Sequence, residues 1–175
     1  MIKKVYIIIV IISFLSCDNT YKIEREAQKC LFTSFVHGGD SLKVYISDYE
    51  SILKEKGILE SSSKESYYDL FEKIMSKNFP SPVYEFSLKD SLDKLTLRNF
   101  VDINLECNKK IENLKGYKES VTFKIKKYLE KVNSENIQSD IATKEISGLY
   151  PKDYFELTLH KLQLLLMIDR FSKIE

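Results

Sequence analysis

The sequence predicts a mainly α-helical, single, bundle-like domain. Two observations carry that expectation. Apolar residues recur at three- and four-residue steps along most of the chain, which is the spacing of one helix face. Between these periodic segments stand Gly, Pro and Ser clusters where helices stop and start. Alternation of the kind a half-buried strand shows occurs only within 82–107, where minor β structure is the rival expectation.

The first segment spans Tyr21 to Phe35, with Ile23, Ala27, Cys30, Leu31 and Ser34 on a common face and His37-Gly38-Gly39 as its stop. The second carries Leu42, Tyr45, Ile46, Tyr49, Ile52 and Leu53, with Asp40 or Ser41 as cap and Gly57 as terminator, so the two form a helical hairpin. Ser62 and Glu65 match a capping box ahead of a third helix through Tyr67, Leu70, Phe71, Ile74 and Met75, which Asn78 to Pro82 ends. In the middle, Tyr84-Phe86-Leu88 and Val101-Ile103-Leu105-Cys107 alternate like strands, but Leu88, Leu92, Leu95, Phe100 and Ile103 suit a helix, and 90–106 is assigned as one.

Beyond the polar stretch Asn108 to Gly116, Ser120 is positioned to cap a helix bearing Val121, Ile125, Tyr128, Leu129 and Val132. A short helix from Ile137 to Ile146 follows, closed by Gly148, and Pro151 suits the first position of the last helix. Residues 155 to 168 are apolar nearly all round the helix, through Phe155, Leu159, Leu162, Leu166, Leu164, Leu165, Met167 and Ile168. A helix of that kind packs on several sides, so it is expected at the centre of the domain. The chain has no alanine-rich period of the kind an α-solenoid needs: Ala27 and Ala142 are its only alanines.

The N-terminus sets the compartment. Lys3 and Lys4 precede an apolar run from Val5 to Leu15 that ends at Ser16-Cys17 and gives way to Asp18-Asn19. The run has eleven residues, against the roughly 20 that span a bilayer core, so it reads as a secretory signal. Phe14-Leu15-Ser16-Cys17 resembles the lipobox of bacterial lipoproteins, with Phe14 where that family usually has Leu. The resemblance implies cleavage of residues 1–16, a diacylglyceryl group on the Cys17 thiol, and an acyl chain such as palmitate on the new amine. Residues 17–175 are then a lipid-anchored domain of the bacterial cell envelope, with inner against outer membrane left open. In its Lys-, Ile- and Asn-rich composition the mature chain resembles small lipoproteins of unassigned function, a likeness that carries no site residue.

Removing residues 1–16 leaves 159 residues and moves the formal charge from +1 to −1. A near-neutral domain lacks the basic excess that supplies most nucleic-acid affinity, so nucleic acid is excluded as a partner. With Cys17 acylated, Cys30 and Cys107 remain. In an oxidising envelope they are free to pair, though Cys30 equally suits a buried, inert position on its helix.

Candidate chemistry is sparse. His37-Gly38-Gly39-Asp40 places an imidazole beside a carboxylate and resembles the His-Gly-Gly start of some esterase oxyanion loops, but no G-x-S-x-G follows. A helix stop, two turn glycines and a cap account for the same four residues. His160 stands without a His or Cys at a metal-ligand offset and is expected at a partly exposed helix position. Asp102, Asn104, Glu106, Asn108 and Glu112 resemble a calcium loop that lacks its turn glycine, with Cys107 in that place. Lys124, Lys127 and Lys131 share a face that anionic lipid would attract. No cofactor or metal is expected.

Three functional expectations follow: an accessory lipoprotein that binds a protein partner in the envelope, an envelope hydrolase using His37 or His160, and a small-ligand or lipid carrier with a cavity lined by Phe155, Leu162 and Leu166. The first leads, since no catalytic or nucleotide-binding motif appears in the chain.

Overall fold

The computed structural model describes residues 21–35, 38–76 and 99–171 together with Leu88, Leu92 and Lys94. Among these the protein is an all-helical domain of seven α-helices without a strand: α1 Lys22–Phe32, α2 Gly39–Glu55, α3 Lys64–Met75, α4 Phe100–Glu112, α5 Val121–Glu135, α6 Ser139–Ser147 and α7 Thr158–Phe171. Two 3₁₀ turns, Tyr117–Glu119 and Lys152–Glu156, precede α5 and α7.

Helix α1 buries Ile23, Glu24, Ala27 and Leu31. The link to α2 is tighter than a capped hairpin: a Cβ on Gly39 would lie 2.4 Å from Cδ2 of Phe32, so only glycine permits this approach. Helix α2 also starts earlier than expected. Gly38, at φ +66°, is the N-cap instead of Asp40 or Ser41. Asp40 sits inside the first turn, where a carboxylate favours the helix dipole, and it pairs with Lys43 at 3.1 Å. At the far end Gly57, at φ +67°, turns the chain so that the amides of Ile58 and Leu59 both donate to the Leu53 carbonyl.

The cap of α3 is also displaced by one residue. Ser63, not Ser62, accepts from the Ser66 amide at 3.2 Å, because the Ser62 hydroxyl donates to the buried Glu50 carboxylate at 2.5 Å. A buried carboxylate is the stronger acceptor, so it claims the hydroxyl. The segment 78–82, expected to end α3, lies outside the described residues.

The strand reading of 101–107 is overturned, and the helix assigned to 90–106 is interrupted at Asn99, with helix on both sides at Leu92, Lys94 and from Phe100 onward. Asn99 caps α4 through the Val101 amide at 2.9 Å, and the helix continues to Glu112 through residues expected to be a polar linker. Its buried residues, Ile103, Cys107 and Ile111, recur every fourth position, whereas Val101 and Leu105 are each 53% exposed. Two exposed apolar residues created the false alternation. Leu88, Leu92 and Lys94 are helical as well.

Ser120 caps α5 as expected, accepting from Phe123 at 3.1 Å. Helix α6 begins at Ser139, two residues later than expected, and Gly148 closes it. Pro151 does not open the last helix; it precedes the 3₁₀ turn Lys152–Glu156, which inserts Tyr154 and Phe155 into the core. Extended backbone at Leu157 then resets the chain, and α7 begins at Thr158.

Helix α7 is central. Leu159, Leu162, Leu164, Leu165 and Ile168 are all buried, and among the large apolar side chains described for this helix only Met167 is notably exposed. Three polar links tie α7 to its surroundings: Leu159 N–H to Gln28 Oε1 of α1, Lys161 Nζ to the Ser62 carbonyl, and Leu88 N–H to Asp169 Oδ1. Beside it an aromatic cluster joins α3 to the second 3₁₀ turn, with Phe71 4.6 Å from Tyr150 and 5.7 Å from Phe155, and Tyr67 stacked on Phe155 at 6.2 Å. Aromatic pairs in this range add to their area burial.

Cys30 of α1 and Cys107 of α4 are joined in a disulfide, with Cα atoms 5.7 Å apart and a sequence separation of 77. A crosslink closing a loop of that length stabilises a fold by about 4 kcal/mol, chiefly by restricting the unfolded chain. Urea unfolding with and without a thiol reductant is expected to differ by that amount; superimposable curves would show that the link does not constrain the unfolded state.

Candidate functional site

Two clusters of buried polar side chains lie where the helices meet. The first begins with Glu24, 1% exposed on the inner face of α1. Its Oε1 accepts from the Thr122 amide at 3.0 Å and from the Thr122 hydroxyl at 3.1 Å, so α1 supplies an acceptor to the open N-terminus of α5. The Thr122 hydroxyl also meets the Tyr154 hydroxyl at 3.3 Å. Burial, followed by the nearby Glu24 charge, pushes the Tyr154 phenol far above its ordinary pKa, so it remains protonated.

The Tyr154 ring stacks on His160, centroids 3.4 Å apart and planes inclined by 14°. This corrects the expected placement of His160. It is 3% exposed, because the 3₁₀ turn folds Tyr154 over the imidazole and α7 holds the opposite side in the core. Nδ1 lies 2.9 Å from Gln163 Oε1, one helical turn away, and Nε2 has no hydrogen-bond partner among the described residues. Burial lowers the imidazole pKa to about 4, partly offset by Gln163. At neutral pH the ring is uncharged.

The second cluster centres on Glu50. Its Oε1 accepts from the Tyr67 hydroxyl at 2.7 Å and its Oε2 from Ser62, which in turn accepts from Lys54 at 2.8 Å. Lys161 Nζ donates to the Ser62 carbonyl at 2.5 Å and lies 4.8 Å from the centre of the Tyr67 ring. Burial and then the bond to Glu50 push the Tyr67 hydroxyl far above its ordinary pKa. The Ser66 hydroxyl accepts from the Glu60 and Ser61 amides, completing the loop between α2 and α3.

Neither cluster is arranged for chemistry. His160 meets Tyr154 through ring faces, which pass no proton, and its one hydrogen-bonding neighbour is an amide. In the Glu50 cluster the serine, tyrosine and lysine groups are engaged with the carboxylate or with backbone. Both clusters fix helices against each other. Sequence reasoning missed Glu24, Glu50 and Asp169, although each lies on an apolar stripe: Glu24 with Ala27 and Leu31, Glu50 with Ile46 and Leu53, Asp169 with Leu162 and Leu165. A carboxylate on a stripe of core residues is the signal that was available.

Of the residues expected to carry function, Cys17 and His37 lie outside the described residues, while Cys30 and Cys107 are paired in the disulfide. The calcium-like series falls along α4, where successive alternate residues point to nearly opposite sides and cannot converge on one ion. Glu106 instead pairs with Lys110, and Glu112 with Lys126. No group of three His, Cys, Asp or Glu side chains among the described residues is disposed to hold a metal. Of the expected lipid-facing stripe, Lys127 and Lys131 pair with Glu130 and Glu135 along their own helix, while Lys124 is exposed and makes no ion pair with a described residue. Phe155 and Leu162, expected around a carrier cavity, are packed in the core at 2% and 0% exposure.

The His160 shift implies a pH dependence. Between pH 6.5 and 4 the unfolded chain binds a proton that the folded chain does not, so stability from this group is present above 6.5 and is lost as pH falls to about 4, roughly 3 kcal/mol in all. Relative to the parent protein, His160→Phe is expected to gain that amount between pH 7 and pH 4 in urea unfolding; parallel profiles would show that the imidazole is not buried uncharged. Compared with protein-family models, characterised proteins and solved structures, the chain has no significant match.

Proposed function

We propose that this chain is a lipid-anchored envelope protein that acts without catalysis by binding a protein partner. The observation that carries the reading is the thin burial of the α5–α6 hairpin. Helix α5 has Ile125 as its one buried residue, and α6 has none among its described side chains, while Leu129 and Ile141 are 45% and 50% exposed. Exposed apolar side chains on adjacent helices are the material from which a protein-contact surface is built. The Cys30–Cys107 disulfide agrees with an oxidising compartment, where such bonds persist. The signal-like run and lipobox-like Phe14-Leu15-Ser16-Cys17 give the means of attachment. No helix among the described residues is long and apolar enough to cross a membrane.

Hydrolase and carrier readings draw no such support. The one described histidine is sealed under Tyr154, and the aromatic and leucine side chains proposed to line a cavity fill the core.

Two experiments test the reading. Cys17→Ser is expected to abolish lipid labelling and release the protein from membranes; unchanged retention would refute lipid attachment at that residue. Crosslinking in native cells is expected to capture a partner protein that Leu129→Asp with Ile141→Asp loses, while each exposed substitution changes stability by no more than about 0.5 kcal/mol. An unaltered set of crosslinks would place the contact elsewhere than α5–α6.

A further inference from the structure

Helix α4 has two faces of different character. Ile103, Cys107 and Ile111 recur at four-residue steps on its inner side, where the Cys30–Cys107 disulfide fastens it to α1. Val101 and Leu105, one turn apart, project from the opposite side and are each 53% exposed. Among the described residues α4 is the one helix with two large apolar side chains left so exposed.

The charges around this outer face differ in their engagement. Glu106 is paired with Lys110 along the helix, and Glu112 with Lys126 of α5. Asp102 and Lys109 are exposed, and neither forms an ion pair with a described residue. Positions 102 and 109 are about two helical turns apart, so the two side chains lie on one flank of the apolar pair. The acid stands toward the start of α4 and the base toward its end.

We propose that this face binds a second copy of the same chain, with the two α4 helices antiparallel about a two-fold axis. Such an axis keeps the charged flank on the same side of the contact and reverses its direction. Asp102 of each copy then meets Lys109 of the other. The midpoint of 102 and 109 falls between residues 105 and 106, so Leu105 meets its own counterpart at the centre. A parallel pairing would put the flanks on opposite sides of the contact and leave all four charges unpaired, so charge selects the antiparallel arrangement. The patch is thus complementary to itself, as an isologous interface requires. One pair of short helices covers less than the roughly 1,200 Å² of a stable interface, so the pairing is weak and reversible. It depends neither on lipid attachment nor on the contact placed at α5–α6.

A water-soluble carbodiimide tests this register, because it joins a carboxylate to an amine in direct contact and takes up the water released. Within one helix Asp102 and Lys109 are about 10 Å apart along the axis, so an amide between them must link two copies. At chain concentrations up to the millimolar range, the full chain is expected to give a covalent dimer joined from Asp102 to Lys109. Leu105→Asp keeps both reactive groups and is expected to lower the yield about tenfold, by setting like charges against each other at the centre. Alone, Asp102→Lys lacks the carboxylate and Lys109→Asp the amine. Mixed, the two proteins are expected to form a heterodimer linked between positions 102 and 109, and the double reversal in one chain is expected to recover the parent yield. All three positions are exposed, and unchanged helicity by circular dichroism checks each fold. Absence of the Asp102–Lys109 amide in the millimolar range, or a yield that Leu105→Asp leaves unchanged, overturns the proposal. Dimers linked only through α5–α6 overturn it as well, by placing self-association on another face.

Discussion

The fold depends on hydrogen-bond acceptors that α1 lends to other helices. A helix begins with backbone N–H groups that have no partner within it, and burying that end without acceptors costs more than most packing contacts return. Glu24 supplies the acceptor for α5 at Thr122, and Gln28, four residues further along the same face, supplies it for α7 at Leu159. The disulfide from Cys30 ties this helix to α4. A helix of eleven residues thereby fixes the start of one helix, the start of another and the flank of a third.

The same logic governs the opposite side of α7. Glu50 gathers Tyr67 and Ser62, and Lys161 reaches the Ser62 backbone from α7, so α2, α3 and α7 meet around one carboxylate. Removing one member of such a buried network strands the others, which makes the network sensitive to substitution and poorly suited to turnover. Polar residues that in an open cleft would invite a catalytic reading here hold helices at fixed distances. Among the described residues, the apolar side chains left half-exposed lie at the periphery, Val101 and Leu105 on α4, Leu129 on α5 and Ile141 on α6.

Much of this architecture was legible in the sequence because it rests on periodicity. The stripes of α2 and α3, the Ser120 cap, the Gly57 stop and the centrality of α7 follow from apolar spacing and from residues with a single local role. The departures share a physical cause: a local signal was claimed by a tertiary partner. Ser62 would cap α3 if Glu50 did not take its hydroxyl. Asp40 lies inside the first turn of α2, where Gly38 is the N-cap and Gly39 packs against Phe32. His160 reads as partly exposed until the 3₁₀ turn lays Tyr154 over it, and nothing adjacent to His160 in sequence announces that turn. Val101 and Leu105 mimicked a strand because they are apolar and exposed, a combination that sequence patterning assigns to the core. The paired carboxylates were the most readable of the missed features, since each interrupts an apolar stripe.

The most direct test of α1 as the shared acceptor is native-state amide hydrogen exchange on Glu24→Ala and Gln28→Ala. If α1 caps the two helices as described, Glu24→Ala loses protection first at Thr122 and the opening turn of α5, and Gln28→Ala loses it at Leu159 and the opening turn of α7, with the rest of each helix retaining its order. Uniform loss of protection through the whole domain in both variants, or unchanged exchange at Thr122 and Leu159, would contradict the account.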